Sequence, residues 1–158
     1  MTNETPNPEL PLVIRELRPE DVEAITALEQ LVFPDPWPRQ AFEEQLASPD
    51  WGGLVAVAGP EIIAYACYLI VAQESHLANI AVSPPWRRKS VANQLMHRIL
   101  GVITERHCEM LLLEVRISNA AAIAFYRKFG FEPLYRRRNY YRRPVEDAQV
   151  MVKYLTRH

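Results

Sequence analysis

Cysteine is nearly absent from this chain. Cys67 and Cys108 are too few to make a disulfide framework, so reduced thiols and a cytoplasmic protein are expected. Glycine is sparse as well, at five of 158 residues. No apolar run approaches the length needed to cross a membrane and no signal peptide is visible, so no membrane role is expected. No group of His, Cys, Asp and Glu has metal-ligand spacing, so no metal is expected either. Internal repeats and domain linkers are also lacking.

What is present suits one globular domain. The chain is 49% apolar and long enough to bury a sizeable core. Its net charge of −1 conceals an uneven spread. Residues 1–50 carry eleven acids and three bases, whereas residues 51–158 carry eight acids and fifteen bases. Either one face meets phosphates or a charged partner, or the signs drift by chance.

Residues 1–11, rich in Pro and Asn, read as a disordered tail. Residues 12–158 read as a single domain. A strand begins at Leu12. Pro19 opens a helix with Val22, Ile25, Leu28 and Val32 on one face, and Phe33-Pro34 ends it. A short helix after Pro38 turns Phe42 and Leu46 inward. Trp37, in the stiff loop before it, is expected to pack rather than line a cleft. Leu54–Val57 and Ile62–Val71 form a hairpin about Gly59-Pro60, and a third strand covers about Leu77–Val82. A helix carrying Val91, Leu95 and Ile99 runs to about Arg106. Met110–Val115 is a buried strand with one acid, Glu114. Ala120–Phe129 is a helix stopped by Gly130, followed by strands over Phe131–Tyr141 and around Val150–Tyr154. The order implies an α+β fold, with a mixed and mostly antiparallel sheet and helices on both faces.

The stretch from Asn79 to Met96 organises the rest. Ile80 and Val82 end a strand, Ser83-Pro84-Pro85 breaks it, and Arg87-Arg88-Lys89 lead into a helix. The first-turn N–H groups of a helix lack internal acceptors, and its dipole adds partial positive charge. Such a place either binds an anion or is simply a solvated basic helix start.

This segment resembles motif A of the GNAT acetyltransferases, [QR]-x-x-G-x-[GA], with Arg87 first and Ala92 last. The central Gly of that motif is Ser90 here. Gly permits a positive φ and close backbone approach, whereas Ser does so only with strain. The Ser hydroxyl could in turn donate to a phosphate. Leu113-Glu114-Val115-Arg116, Ser118 to Tyr126 and Phe129-Gly130-Phe131 resemble motif B. Arg137-Arg138-Asn139-Tyr140-Tyr141, with Asn79-Ile80-Ala81-Val82 and Pro36-Trp37, is similar to the RimI-type branch, which acetylates the N-terminal alanine of a ribosomal protein. The likeness covers nearly all of residues 12–155.

The resemblance implies acetyl-CoA as co-substrate. It implies that Arg87, Arg88, Lys89, Ser90, Val91, Ala92 and Asn93 hold the pyrophosphate, while Ile80, Ala81 and Val82 flank the thioester. Asn119 would contact the pantetheine arm, or serve only as a helix cap. Glu114 would be the general base, or only a strand-end acid paired with Arg116 or exposed. A carboxylate among leucines is costly to desolvate, so its pKa is expected to rise. Tyr126 would be the acid that protonates the departing thiolate, although a Tyr at helical spacing is also a core residue. His76, His97 and His107 read as bystanders.

An α-amine, with a reference pKa of about 7.7–8.0, offers far more free base at neutral pH than a lysine at about 10.4. A site with one Glu base therefore suits protein N-termini. Two alternatives stay open: a GNAT acting on another N-terminus, a lysine or a small-molecule amine, and a non-catalytic acyl-CoA-binding or ribosome-binding module. The basic, aromatic run Tyr135 to Arg143 could bind RNA, frame a peptide cleft or be a solvated edge. Glu43, Glu44, Glu146 and Asp147 are candidates to meet a basic peptide.

Overall fold

The computed structural model describes residues 12–155. The expected tail, residues 1–11, lies outside the described residues. Seven strands and four helices follow in the expected order: β1 Leu12–Glu16, α1 Val22–Val32, α2 Arg39–Ala47, β2 Trp51–Ala58, β3 Glu61–Val71, β4 Glu74–Val82, α3 Val91–Glu105, β5 Met110–Arg116, α4 Ala120–Lys128, β6 Glu132–Arg142 and β7 Val145–Tyr154. The helix signals act as read. Pro19 opens a 3-10 turn that runs into α1. Phe33, held extended by Pro34, ends α1. Gly130 turns the chain left-handed after α4, at φ 89°.

The strands form one sheet in the order β1-β2-β3-β4-β5-β7-β6. Every pairing is antiparallel except β4 with β5. The two-residue period of the strands sorts side chains onto two faces. Leu54, Ala56, Ala64 and Ala66 pack with Val91, Leu95, Met96, Ile99 and Ile103 of α3. Val55, Tyr65, Cys67 and Ala81 pack with Val22, Ile25 and Leu28 of α1 and Phe42 of α2. The sheet is thus covered on both sides, α1 and α2 on one face and α3 on the other. Trp37 packs against Phe42, their rings 5.7 Å apart. Both cysteines are free and buried. Among the described residues, no helix is long and apolar enough to cross a membrane.

Candidate active site

The parallel seam between β4 and β5 is short. It joins Glu74–Leu77 to Met110–Leu113 and then opens. β5 stays paired with β7 as far as Arg116, so β4 is the strand that departs. Its pairing with β3 shows why: Tyr68 faces Leu77 and Cys67 faces Asn79, which leaves Ala78 as an extra residue. A bulge of this kind bends the strand that carries it.

Asn79 to Val82 and Glu114 to Arg116 therefore line the two arms of a fork. The Ser83 N–H bonds to Ile63 O on β3 at 2.8 Å. By alternation, the N–H groups of Ile80 and Val82 turn away from β3 and toward the fork. The Ile80 N–H is taken by the side-chain Oδ1 of Asn79 at 3.1 Å. Ala81 points its methyl into the α1–α2 core, so only its backbone lies along the fork.

Below the fork, a 3-10 turn over Pro84–Trp86 and the basic loop lead into α3. Ser90 is the residue before the helix and is left-handed, at φ 64° and ψ 15°. Arg88 is left-handed too, at φ 62°. The conformation that motif A reserves for glycine is thus adopted here by a serine. The first bond of the helix is Gln94 N–H to Ser90 O, 3.1 Å, so the N–H groups of Val91, Ala92 and Asn93 precede the helical ladder. A groove of ≈ 350 Å³ lies at this end, lined by Val82, Arg87, Arg88, Ser90, Val91, Ala92 and Asn93 together with Ala121, Ala124, Phe125 and Lys128 of α4. Lys89 is exposed and outside the lining. A second hollow, of ≈ 250 Å³, involves Glu16, Tyr68 and Arg106 and contains none of the expected site residues.

Glu114 is the first residue of β5 beyond the paired seam. Burial along β5 alternates, with Leu111, Leu113 and Val115 in the core and Glu114 on the less covered face. Its Oε2 lies 2.5 Å from His76 Nε2, and its Oε1 lies 3.5 Å from Arg137 Nη1. The expected rise of its pKa does not occur. Burial alone pushes the carboxyl up, but the His76 hydrogen bond and charge, with Arg137, outweigh it and hold the group below its ordinary value. The run of leucines suggested a dry site on both faces. The fold instead puts two basic side chains on the exposed one.

Tyr126 packs in the core between Phe125 and Phe131, and its phenol is pushed well above the ordinary value by burial and by Tyr141. It therefore holds its proton throughout the neutral range. Tyr141 is pushed up to about 12, by burial first and then by Tyr140 and Glu114. Arg137 lies over the Tyr140 ring and Arg116 over the Tyr141 ring.

Asn119 caps α4, its Oδ1 accepting the Ala122 N–H at 3.1 Å. The acids suggested for a basic peptide are engaged elsewhere. Glu43 pairs with Arg39 on α2, and Glu44 accepts from Gln40. Glu146 binds Arg116 and the Ser118 N–H, and Asp147 accepts from the Asn139 N–H. Among the histidines, His97 stacks edge-on against Phe129, but His76 sits at the heart of the fork. Sequence reasoning takes His76 for a bystander and Arg137 only for part of a basic run, because they are 38 residues before and 23 residues after Glu114. Only the strand register brings them together.

A sheet that splits beside a basic helix start, with a carboxylate at the split, defines a class. Residues 22–131 match the model of the acetyltransferase (GNAT) family, and the chain belongs to that family. It is an acetyl-CoA-dependent N-acetyltransferase. Among its relatives is the ribosomal protein bS18-alanine N-acetyltransferase of Escherichia coli K12, 34% identical over 136 residues, which span 86% of this chain and 90% of the relative. The N-alpha-acetyltransferase RimI of Mycobacterium tuberculosis is 32% identical over 147 residues, 89% of this chain and 91% of its own. The crystal structure of the E. coli ribosomal-protein-S18-alanine N-acetyltransferase superposes with a TM-score of 0.87 at 31% identity, covering 93% and 96% of the two chains. Arabidopsis thaliana NAA60, solved with acetyl-CoA, shares the fold at a TM-score of 0.84 and 18% identity, over 92% and 99%.

Proposed function

We propose that this enzyme acetylates the α-amine of a protein N-terminus that begins with alanine, a ribosomal protein in the first instance. The observation that carries this reading is the likeness to the E. coli enzyme over nearly the full length of both chains. The residues of the fork agree with it. Residues 12–158 act as one domain.

In this reading the amides of Ser90 to Asn93, with the charges of Arg87, Arg88 and Lys89, hold the diphosphate of the co-substrate. The groove beside α4 and the left-handed turn at Ser90 support that assignment. Ile80, Ala81 and Val82 run along the thioester, and the Val82 N–H donates to its carbonyl oxygen. That donor stabilises negative charge as the tetrahedral intermediate forms. Asn119 orders the start of α4 beside the pantetheine arm. Glu114 draws a proton from the acceptor amine. Tyr126 gives its proton to the departing sulfur. Direct transfer needs no serine or cysteine nucleophile. An α-amine is favoured over lysine because it is the more often unprotonated at neutral pH.

Mass spectrometry after incubation with acetyl-CoA and a peptide panel tests the reading. One acetyl group is expected on the N-terminus of an Ala-starting peptide. Acetylation confined to lysines or polyamines would replace the acceptor. Binding of CoA with no turnover on any amine would replace catalysis by a binding role.

A further inference from the structure

The hollow of ≈ 250 Å³ lies where β1 ends, β2 begins and α2 and α3 finish. It shares no lining residue with the groove beside α4. Arg106, on its wall, follows the last turn of α3, about 24 Å along the helix from Ser90. The volume is room for about eight water molecules, or for one small ligand of that size.

Two features of the wall point to a ligand. Gln45 lines the hollow, and its Oε1 is buried with no hydrogen-bond partner, alone in this among the described residues. Such an orphan is costly, and the amide torsion that would turn the oxygen into the hollow is soft. Glu16 and Arg106 also line the hollow, yet among the described residues neither enters an ion pair. Burial and then the Glu16 charge push the Tyr68 phenol up while the Arg106 charge pulls it down, so both charges bear on one ring. That ring lies against Gly52, where a Cβ would run into it. A glycine inside a strand marks such a close approach.

We propose that this hollow is a second ligand site, which takes a free α-amino acid with an apolar side chain: its carboxylate on Arg106, its ammonium between Glu16 and the turned-in Oε1 of Gln45, and its side chain against Leu17, Leu46 and Trp51. The site stands apart from the acceptor proposed above.

Charge selects the class. The charged side chains on the wall are Glu16, Asp50 and Arg106. A ligand with only a positive charge leaves Arg106 facing like charge. A ligand with only a negative charge meets two carboxylates and brings Gln45 no donor. A zwitterion answers both signs, and its ammonium carries the N–H groups that the buried oxygen lacks. Hydrogen bonds to charged groups are the stronger kind, so each end should contribute. Leu17, Leu46, Trp51 and Ile70 make the rest of the wall apolar, which favours an apolar side chain over a polar one. Leucine is of the right size.

Leucine, 3-methylbutylamine and 4-methylpentanoate test the proposal. They share one apolar body and carry both charges, the ammonium alone and the carboxylate alone. NMR of the full chain reads the site. Leucine should shift the Gly52 and Gly53 amides and the Trp51 indole with a Kd of about 10 mM or tighter, and leave the amides of Ser90 to Asn93 in place. Each single-charge analogue should bind at least about fivefold more weakly. Arg106→Gln should weaken leucine at least about fivefold as well. Arg106 is exposed, so this variant keeps the test readable if Gln45→Leu, which should also lose leucine, fails to fold. A Kd weaker than about 10 mM would overturn the site. Shifts at Ser90 to Asn93 without shifts at Gly52 and Gly53 would place leucine in the other groove and overturn it too. Comparable binding by either analogue would overturn the zwitterion, and unweakened binding to Arg106→Gln would overturn the assigned contact. No arm uses a peptide acceptor, so failure here leaves the proposed acetylation standing.

Discussion

The Oε1 of Glu29 on α1 accepts a 2.5 Å hydrogen bond from Asn79 Nδ2 on β4, across fifty residues of chain. The same carboxylate accepts from the Tyr65 hydroxyl and, at 2.9 Å, from the Trp37 N–H. Asn79 in turn holds the Ile80 N–H. One acid, 1% exposed, thus ties the loop after α1 to the arm of the fork along which the thioester is proposed to run.

Glu29→Leu should therefore destabilise the protein by about 3 kcal/mol or more, because three donors lose their acceptor inside the core. Urea unfolding measures this. A loss below about 1 kcal/mol would mean that the loop and β4 relax apart easily. The same variant should also raise KM for acetyl-CoA, since Asn79 loses its anchor.

Two buried acids give opposite pH signatures. Asp21 is bound by Arg15 at 2.7 and 2.9 Å and by the Arg18 N–H at 2.8 Å, and the Arg15 hydrogen bond holds its carboxyl below the ordinary value despite burial. A depressed carboxyl adds stability above its unfolded pKa near ~3.9, and that stability is lost as pH falls through the folded value. Glu29 is raised by burial, and its three hydrogen bonds only partly offset this. Its contribution declines as pH rises from about 4.3 through the folded value. Asp21→Asn should flatten the loss of stability below pH 4, and Glu29→Gln should flatten the decline above about pH 4.3. Unfolding free energies from pH 3 to 8 check both slopes.

Ser90→Gly should stabilise the chain by about 0.5–1 kcal/mol, since a left-handed residue without Cβ carries no steric penalty. For a domain of this size the melting temperature should rise by about 1–4 °C. Acetyl-CoA should bind more tightly if strain is all that Ser90 contributes. Weaker binding would show that its hydroxyl contacts the phosphate. Ser90→Ala, which keeps the strain and drops the hydroxyl, separates the two effects by calorimetry.

Glu114→Gln and Tyr126→Phe should each lower kcat by about 100-fold or more while leaving acetyl-CoA affinity within threefold. Rapid-quench kinetics with an Ala-starting peptide reads the chemical step. Retention of the wild-type kcat by either variant would remove that residue from the mechanism.

Much of this was legible in the residues. Apolar periods and runs, with proline and glycine breaks, gave every strand and helix in order, although β2 and β7 begin earlier than read, and Pro19, Phe33-Pro34 and Gly130 marked ends that the backbone keeps. The sequence marked Ser90 as a departure at the motif's glycine position, where Ser is left-handed only with strain, and the fold shows it left-handed. These are local properties, decided by φ, ψ and the sterics of a few neighbours. The environment of Glu114 was not local. Its three leucines suggested a raised pKa, but the register of β4 on β5 and the return of β6 brought His76 and Arg137 to it and reversed the shift. Glu29 gave no signal in the sequence, and only the fold closes Tyr65 and Asn79 around it. Sequence alone determined the elements and their order; most of the left-handed residues, Ala72, Arg88, His107 and Asn139, appeared only in the fold. Which charges meet, and so which protons can move, was decided only in three dimensions, because electrostatic energy depends on distances between residues that the chain itself keeps far apart.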